Sequence, residues 1–143
     1  MTVFVDTSAF YALLDRDDAN HSRAKTAWAE LLRSGEALTS SNYVLVETSA
    51  LLQRRLGLAA LRAFSEDVVP LVTTYWIGEK THASAMAAVL TATRKKLGLV
   101  DCTSFLVMRE AGLHRTFCFD RHFAEQGFFC IPDSRPLDKN GSE

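Results

Sequence analysis

Four acidic residues stand beside apolar segments of this sequence, where a folded chain has little structural use for a carboxylate. They are Asp6, Glu47, Asp101 and Asp120. Asp6 ends the apolar run 3–5 and Asp120 ends the run 117–119, while Glu47 and Asp101 have apolar segments on both sides. Acidic side chains are rarely buried unless they are paired or bind a metal. The pattern therefore predicts one shared cation and a metal-dependent enzyme.

The chemistry of such a site follows from the repulsion between like charges. Crowded carboxylates raise one another's pKa unless a cation compensates their charge. Mg²⁺, or alternatively Mn²⁺, binds carboxylate oxygens and keeps bound waters, one of which can become a nucleophile. We therefore expect hydrolysis of a phosphodiester that leaves 5′-phosphate and 3′-hydroxyl ends. Thr7, Ser8 and Ser104 supply hydroxyls near two of the acids, suited to contacts with water or with the metal ligands.

The composition restricts the class of protein. A length of 143 residues fits one domain, and 48% hydrophobic residues supply a substantial core. The formal net charge of -1 gives no overall basic field, so local Arg and Lys side chains or the metal must hold any polyanionic substrate. Three cysteines without metal-site spacing indicate a reducing compartment, with neither disulfides nor zinc. With no apolar run of ~20 residues and no signal-peptide pattern, we expect a cytoplasmic protein without membrane contact.

Segments typical of strands alternate with segments typical of helices. Strands are predicted at 3–5, 37–39, 68–72, 116–119 and 128–131. Helices are predicted from Thr7 onward and at 20–33, 42–55, 58–67, 78–96 and 101–111. This alternation predicts an α/β fold with a central, mostly parallel, five-stranded sheet flanked by helices. One domain is expected over residues 1–131, followed by a polar C-terminal tail over 132–143.

The predicted topology brings the four carboxylates together. In open parallel sheets, ligands bind beyond the carboxyl ends of the strands, where the strand order reverses. With the order 3-2-1-4-5, the first and fourth strands are neighbours, so Asp6 and Asp120 meet at that reversal. Asp101 lies at a predicted helix N-terminus. Glu47 lies on the helix after the second strand, and its apolar helical neighbours predict a side chain that points toward the sheet rather than the solvent.

Four motifs in this order resemble those of a PIN domain. They are Phe4-Val5-Asp6-Thr7-Ser8-Ala9, Val44-Leu45-Val46-Glu47-Thr48, Val100-Asp101-Cys102-Thr103-Ser104-Phe105 and Phe119-Asp120-Arg121-His122-Phe123. More narrowly, the chain resembles the VapC-type toxins of bacterial toxin–antitoxin pairs, over roughly residues 2–131. No single motif is specific, since Asp-Thr-Ser is common; the order and the structural contexts carry the resemblance.

The resemblance implies a function, a site and partners. The function is that of a Mg²⁺- or Mn²⁺-dependent endoribonuclease that acts as a toxin. Asp6, Glu47, Asp101 and Asp120 take the catalytic, metal-binding positions, and Thr7 or Ser8 and Ser104 take the supporting hydroxyl positions. The implied partners are an RNA substrate, a cognate antitoxin whose C-terminal segment occupies the active-site groove, and a second copy in a homodimer.

Other residues have two interpretations. Each acid alone also fits a helix cap, a turn or a core ion pair. The basic residues Arg54, Arg55, Arg94, Lys95, Lys96 and Arg121 are candidates for RNA phosphate contacts. Cations at solvated helix ends are the simpler interpretation of the two clusters among them. His122 is interpreted as a surface or packing residue, with a supporting role beside Asp120 as the alternative.

Three rival functions remain at this point. A catalytically silent PIN scaffold would bind RNA or a partner without turnover. A signalling receiver domain would need a phosphoacceptor Asp after its middle strand, whereas Thr73-Thr74-Tyr75 follows the predicted third strand. A phosphatase of the haloacid-dehalogenase type would need a second acid two residues after Asp6, where Ser8 stands.

Overall fold

A five-stranded parallel sheet forms the centre of the chain. The computed structural model describes residues 2–92 and 97–132. The strands are β1 (Thr2–Val5), β2 (Ala37–Ser41), β3 (Thr73–Tyr75), β4 (Arg115–Phe117) and β5 (Phe129–Ile131). Their order is β3-β2-β1-β4-β5, and every pairing is parallel. The predicted sheet is confirmed, and its order differs from the flavodoxin-like 2-1-3-4-5 arrangement.

Helices connect the parallel strands, as crossover connections require. They are α1 (Thr7–Leu14), α2 (His21–Arg33), α3 (Asn42–Arg55), α4 (Leu58–Ala63), α5 (Glu79–Ala92), α6 (Leu99–Glu110) and α7 (His122–Glu125). Helix α3 packs against α1, α4 and α6, and α5 packs against α6. Within the described ranges, no helix is both long and apolar enough to cross a membrane.

The position of β1 at the centre of the core explains why its residues 3–5 are all apolar. Val3, Phe4 and Val5 are all fully buried, because the central strand of a parallel sheet is covered on both faces. Phenylalanines from other elements complete the packing. Phe10 of α1 meets Phe64 edge-on at 5.0 Å, and the fully buried Phe117, Phe123 and Leu52 are among the largest core side chains.

The predicted third strand at 68–72 is wrong. A single π-helical turn over Phe64–Val68 and a 3-10 turn over Val69–Leu71 occupy this segment, and β3 begins only at Thr73. Pro70 has no N–H to donate to a neighbouring strand, and its fixed φ suits the first turn of a helix. The buried Phe64 ring fixes the preceding turn. Strand β3 is nevertheless an edge strand, as expected.

Two other differences affect the site. Strand β4 ends at Phe117, so Asp120 stands in a connection rather than directly after a strand, and the short helix α7 that follows it was not predicted. Helix α6 begins at Leu99, two residues before the predicted start at Asp101. Residues 93–96, at the end of the predicted helix 78–96, and nearly all of the predicted tail, 133–143, lie outside the described residues.

Candidate metal centre

Asp6 is a buried carboxylate at the junction of β1 and α1. It caps α1, and its Oδ2 accepts hydrogen bonds from the Ser8 amide at 3.1 Å and the Ser8 hydroxyl at 2.7 Å. Its exposed fraction is only 4%. The position follows from local sequence, since Asp after a strand and before a helical segment is a favoured N-cap. The remaining carboxylate oxygen, Oδ1, can face an ion in the cleft.

Ser8 joins the first acid to the segment that carries the last. Its hydroxyl donates to Asp6 and accepts the Phe119 amide N–H at 2.9 Å. Phe119 immediately precedes Asp120, and the amide of Asp6 donates to the Phe117 carbonyl at 3.0 Å. The ends of β1 and β4 are therefore held together beyond the last ladder pair. Ser8 is a positioning residue for both ends of the site.

Asp101 enters the cleft from the first turn of α6. It is the third residue of that helix, and its Oδ2 accepts the Gly98 amide N–H at 3.4 Å. The predicted location near a helix N-terminus is confirmed. A carboxylate in the first turn also interacts favourably with the positive end of the helix dipole. The side chain is half-buried, so solvent reaches it from one side.

Asp120 and His122 lie close to Asp101. Asp120 Oδ1 accepts the His122 amide N–H at 2.9 Å, which starts the short helix α7. The His122 Nδ1 atom lies 3.0 Å from the same oxygen but outside hydrogen-bond geometry, so this buried nitrogen has no hydrogen-bond partner among the described residues. One ligand atom from each of Asp101, Asp120 and His122 lies within 4.8 Å of the others. This spacing suits donors that share one ion.

Glu47 contributes from the rim of the cleft. The prediction that its side chain points toward the sheet is wrong, because the residue is exposed. The next residue, Thr48, is the fully buried one, and its hydroxyl donates to the Thr7 hydroxyl at 3.1 Å. The inward face of α3 is formed by Val44, Thr48 and Leu52, with Glu47 on its flank. The Asp6 and Asp120 charges add to the rise in the pKa of Glu47, so its carboxylate lies near the cluster.

Burial and mutual repulsion dominate the electrostatics of the cluster. Burial raises the pKa of Asp6 to about 6, with the nearby Asp101 and Asp120 charges adding to the rise and the Ser8 hydrogen bonds opposing it. Burial, followed by the Asp120 charge, raises the pKa of Asp101 to about 6. The pKa of Glu47 is raised as well, mainly because neighbouring atoms displace part of its hydration. Each group therefore resists ionisation while the others are charged.

These residues fit a hard divalent cation. Burial and the neighbouring acids raise these three pKa values, whereas the Ser8 and Thr7 hydroxyls, the Gly98 amide and the His122 imidazole oppose the rise. Carboxylate oxygens are the preferred ligands of Mg²⁺ and Mn²⁺, and a single imidazole nitrogen is more compatible with Mn²⁺. A cation bound by Asp6, Asp101 and Asp120 would remove the repulsion that raises these pKa values.

The predicted supporting and basic residues differ in how close they lie to the acidic cluster. Ser104 is fully buried and its hydroxyl donates to the Val100 carbonyl of its own helix at 3.0 Å, so its role at the site stays a prediction. Arg55 stacks over the Tyr11 ring at 5.5 Å, about 12 Å along α3 from Glu47. Arg121 is exposed next to Asp120.

For the remaining predicted basic residues, the described part of the structure gives no contact with the acidic cluster. Arg54 is exposed at the end of α3, beyond the segment that carries Glu47. Arg94, Lys95 and Lys96 lie outside the described residues. An RNA-binding role for this group stays a prediction.

His122 is the site residue that the sequence interpretation undervalued. Its two-residue spacing from Asp120 was visible, but the connection was expected to be an ordinary turn. The structure adds a helical turn at that point, which directs the imidazole back toward Asp120 and Asp101. An Asp followed two residues later by His, at the start of a short helix, was the available signal.

Comparisons with known proteins show the family of this chain. The PIN-domain family model matches residues 3–128. The 23S rRNA-specific endonuclease VapC20 of Mycobacterium tuberculosis is 35% identical over 127 residues, which make up 88% of this chain and 95% of the relative. The crystal structure of Mycobacterium tuberculosis VapC20, described as a toxin that cleaves the sarcin-ricin loop, has a TM-score of 0.79 at 33% identity. That match covers 94% of this chain and 99% of the other.

Two more distant structures share the fold alone. PAE2754 from Pyrobaculum aerophilum has a TM-score of 0.62 at 19% identity, covering 92% of this chain and 90% of its own. FitAcB from Neisseria gonorrhoeae has the same TM-score at 13% identity and covers 86% of this chain and 90% of its own.

Proposed function

This chain belongs to the PIN-domain family, and from that membership together with its acidic cluster we propose that it is the toxin of a toxin–antitoxin pair, a metal-dependent endoribonuclease. The observation that carries the proposal is the convergence of Asp6, Asp101 and Asp120 at the carboxyl edge of the sheet, where burial and mutual repulsion raise the pKa of Asp6 and Asp101. A silent binding scaffold has no use for carboxylates that oppose one another's ionisation.

The residues have separate roles in the proposed reaction. Asp6, Asp101 and Asp120 would hold Mg²⁺ or Mn²⁺, and Glu47 on the exposed rim would contact the ion or the attacking water. When bound, the cation supplies an activated water and neutralises charge on the phosphate. Ser8 keeps Asp6 and the Asp120 segment at a fixed separation. Because water attacks rather than the neighbouring 2′-hydroxyl, the products carry 5′-phosphate and 3′-hydroxyl ends.

The proposed substrate is structured ribosomal RNA. The VapC20 relative is 23S rRNA-specific, and it is 35% identical across 95% of its length. The formal net charge of -1 gives no overall attraction for RNA, so the cation and local basic side chains must hold the phosphates. Arg121, exposed beside Asp120, and Arg54 at the end of α3 are the proposed contacts among the described residues.

The proposed partners and compartment follow from the toxin role. A cognate antitoxin would cover the acidic cleft with its C-terminal segment, where a basic side chain of the antitoxin can replace the cation as a partner of the carboxylates. We propose a homodimer that acts in the cytoplasm, where ribosomal RNA is available.

A nuclease assay on antitoxin-free protein tests the function. The full chain, Asp101→Asn and Asp67→Asn are each incubated with intact ribosomes and with total RNA, in Mg²⁺, in Mn²⁺ and in EDTA. Asp67 is an exposed acid outside the cluster, so its variant is the matched control for loss of one carboxylate. We expect discrete cleavage of 23S rRNA by the full chain and by Asp67→Asn, and none in EDTA or with Asp101→Asn.

Two results would contradict the proposal. Cleavage that persists in EDTA, or that leaves 2′,3′-cyclic phosphate ends, would exclude the metal-dependent mechanism. The second result is that the full chain binds Mn²⁺, and Asp101→Asn does not, but no RNA is cleaved in any lane. This would indicate a binding protein instead of a nuclease.

A further inference from the structure

Two thiols are in contact beside the metal centre, on the ends of neighbouring strands. Cys130 lies in the edge strand β5, and Cys118 lies just beyond the end of β4. The Cys118 S–H donates to the Cys130 sulfur, with the two Sγ atoms 3.4 Å apart. The third cysteine, Cys102, is buried on α6. The proposed reaction uses none of these thiols.

The thiol pair is reachable from solvent. Cys130 is only half-buried, whereas Cys118 is 3% exposed. Both line a cleft of about 150 Å³ whose other walls include Arg23 and Asp120. A small oxidant therefore has access to Cys130, with Cys118 behind it as a resolving thiol.

We propose that Cys118 and Cys130 form a reversible oxidation site that a peroxide converts to an intramolecular disulfide, and that this bridge disturbs the adjacent metal centre. The hydrogen bond from Cys118 favours the thiolate of Cys130, so it lowers the pKa of Cys130 and supports this thiol as the one that is oxidised first. The bridge itself does not depend on the proposed nuclease function, although its effect on RNA cleavage does.

The chemistry balances with hydrogen peroxide as the oxidant. The Cys130 thiolate attacks one peroxide oxygen, the O–O bond breaks, and hydroxide leaves, which gives a sulfenic acid. The Cys118 sulfur then attacks the sulfenic sulfur, an S–S bond forms, and the S–O bond breaks. The Cys118 proton accompanies the departing hydroxide as water, and the hydroxide from the first step takes up the proton that Cys130 released on ionisation. Two thiols are oxidised, and one peroxide is reduced to two waters.

The bridge must bring the two sulfur atoms closer together next to Asp120. An S–S bond is about 2.05 Å long, so the two sulfur atoms must approach by about 1.4 Å from their present 3.4 Å. Cys118 is also within 3.7 Å of the Asp120 carbonyl, and the next amide, that of Phe119, is bound to the Ser8 hydroxyl. Closure therefore removes the S–H that contacts the Asp120 carbonyl, in the segment that fixes Asp120 relative to Asp6. Changes to groups that orient metal ligands reduce metal affinity by about 10–100-fold.

Peptide mapping of the full chain tests the bridge without RNA or metal. Reduced, metal-free protein is treated with a small excess of hydrogen peroxide, unfolded, alkylated, digested and analysed by mass spectrometry. We expect a linked peptide pair that contains Cys118 and Cys130, while Cys102 is alkylated. Cys102→Ser should give the same pair and Cys130→Ser should not; dithiothreitol should reverse the reaction. The wild-type result needs no variant, so it stands even if a substitution impairs folding.

A Mn²⁺ titration of the same samples tests the coupling. We expect the oxidised chain to bind Mn²⁺ at least about tenfold more weakly than the reduced chain, with recovery on reduction. Free, alkylated Cys118 and Cys130 after peroxide treatment, or a bridge that involves Cys102, would overturn the site. A Cys118–Cys130 bridge with unchanged Mn²⁺ affinity would overturn its effect on the metal centre. Cleavage of RNA is not used in either readout, so failure of the proposed function would not be mistaken for failure of this inference.

Discussion

Replacing Asp6 by Asn should stabilise the metal-free protein while abolishing its metal site. Asn is as good an N-cap as Asp, and its carbonyl can still accept the hydrogen bonds from Ser8. The substitution removes a negative charge near other carboxylates, on a residue whose exposed fraction is 4%. A residue that weakens the fold but serves the site is a common compromise between stability and function.

The size of the effect follows from the pKa of Asp6. Its ordinary value is 3.8, and in the folded chain it is raised to about 6. Because one pKa unit corresponds to about 1.36 kcal/mol, the ionised side chain destabilises the folded chain by about 3 kcal/mol. For a protein of this size, that difference in the free energy of unfolding corresponds to a rise in the melting temperature of roughly 6–12 °C.

The pH dependence gives the prediction a sign that can be checked. Above about pH 6, Asp6 is charged in both the folded and unfolded chains, so Asp6→Asn has its full advantage. As the pH falls from about 6 toward 3.8, the folded wild-type chain takes up a proton that the unfolded chain does not, and its stability rises relative to the variant. Near pH 3.8 and below, both states are protonated, and the difference should vanish.

Thermal and urea unfolding in EDTA, at several pH values, measure this difference. Asp67→Asn is the control, because it removes an exposed carboxylate outside the cluster. In Mn²⁺ at about 1,000 times the wild-type Kd the order should reverse, because binding then stabilises the wild-type chain by about 4.1 kcal/mol and the variant has lost a ligand. An Asp6→Asn protein that is no more stable than the wild type in EDTA at pH 7.5, or an advantage that is the same at pH 4, would refute the reasoning.

Three further substitutions test other parts of the site and its support. Ser8→Ala leaves the Phe119 amide without its acceptor and should lower the free energy of unfolding by about 1–3 kcal/mol in urea titrations; an unchanged value would mean that the link between the two strand ends is dispensable. Glu47→Gln should reduce RNA cleavage at least about tenfold with little change in melting temperature, since the residue is exposed; cleavage at the wild-type rate would remove it from the site. Phe105→Ala removes the ring that meets Phe123 at 5.0 Å and should cost about 3–5 kcal/mol, measured by urea unfolding; a cost below 1 kcal/mol would contradict its place in the core.

Features that depend on neighbouring residues were predictable from the sequence. Asp6 as the cap of α1 needs only an acid between a strand and a helix, and Asp101 in the first turn of α6 needs only the helical pattern after it. The parallel sheet followed from the alternation of elements, and its order gave the right pair of neighbouring strand ends. These inferences succeeded because capping and periodicity are local properties.

The wrong predictions concern residues whose conformation depends on distant contacts. Residues 68–71 lie in an apolar run rich in valine, yet they belong to helical turns because Phe64 is packed in the core and Pro70 cannot donate to a strand. Glu47 has apolar neighbours along α3, yet Thr48 faces inward, where it meets Thr7 from another helix. Hydropathy alone cannot distinguish adjacent positions on the edge of a buried helical face.

By itself, the sequence determined the four acids and the elements that carry Asp6, Glu47 and Asp101. It also determined the family to which the chain belongs. The tertiary structure decided how these acids are related: Ser8 ties Asp6 to the segment before Asp120, and the turn of α7 brings His122 to the cluster. The same packing placed the Cys118 and Cys130 thiols in contact, although they are separated along the chain and belong to no motif. Residue types and local spacing set which groups are available, but side-chain distances depend on how neighbouring strands end, and only the folded chain specifies that.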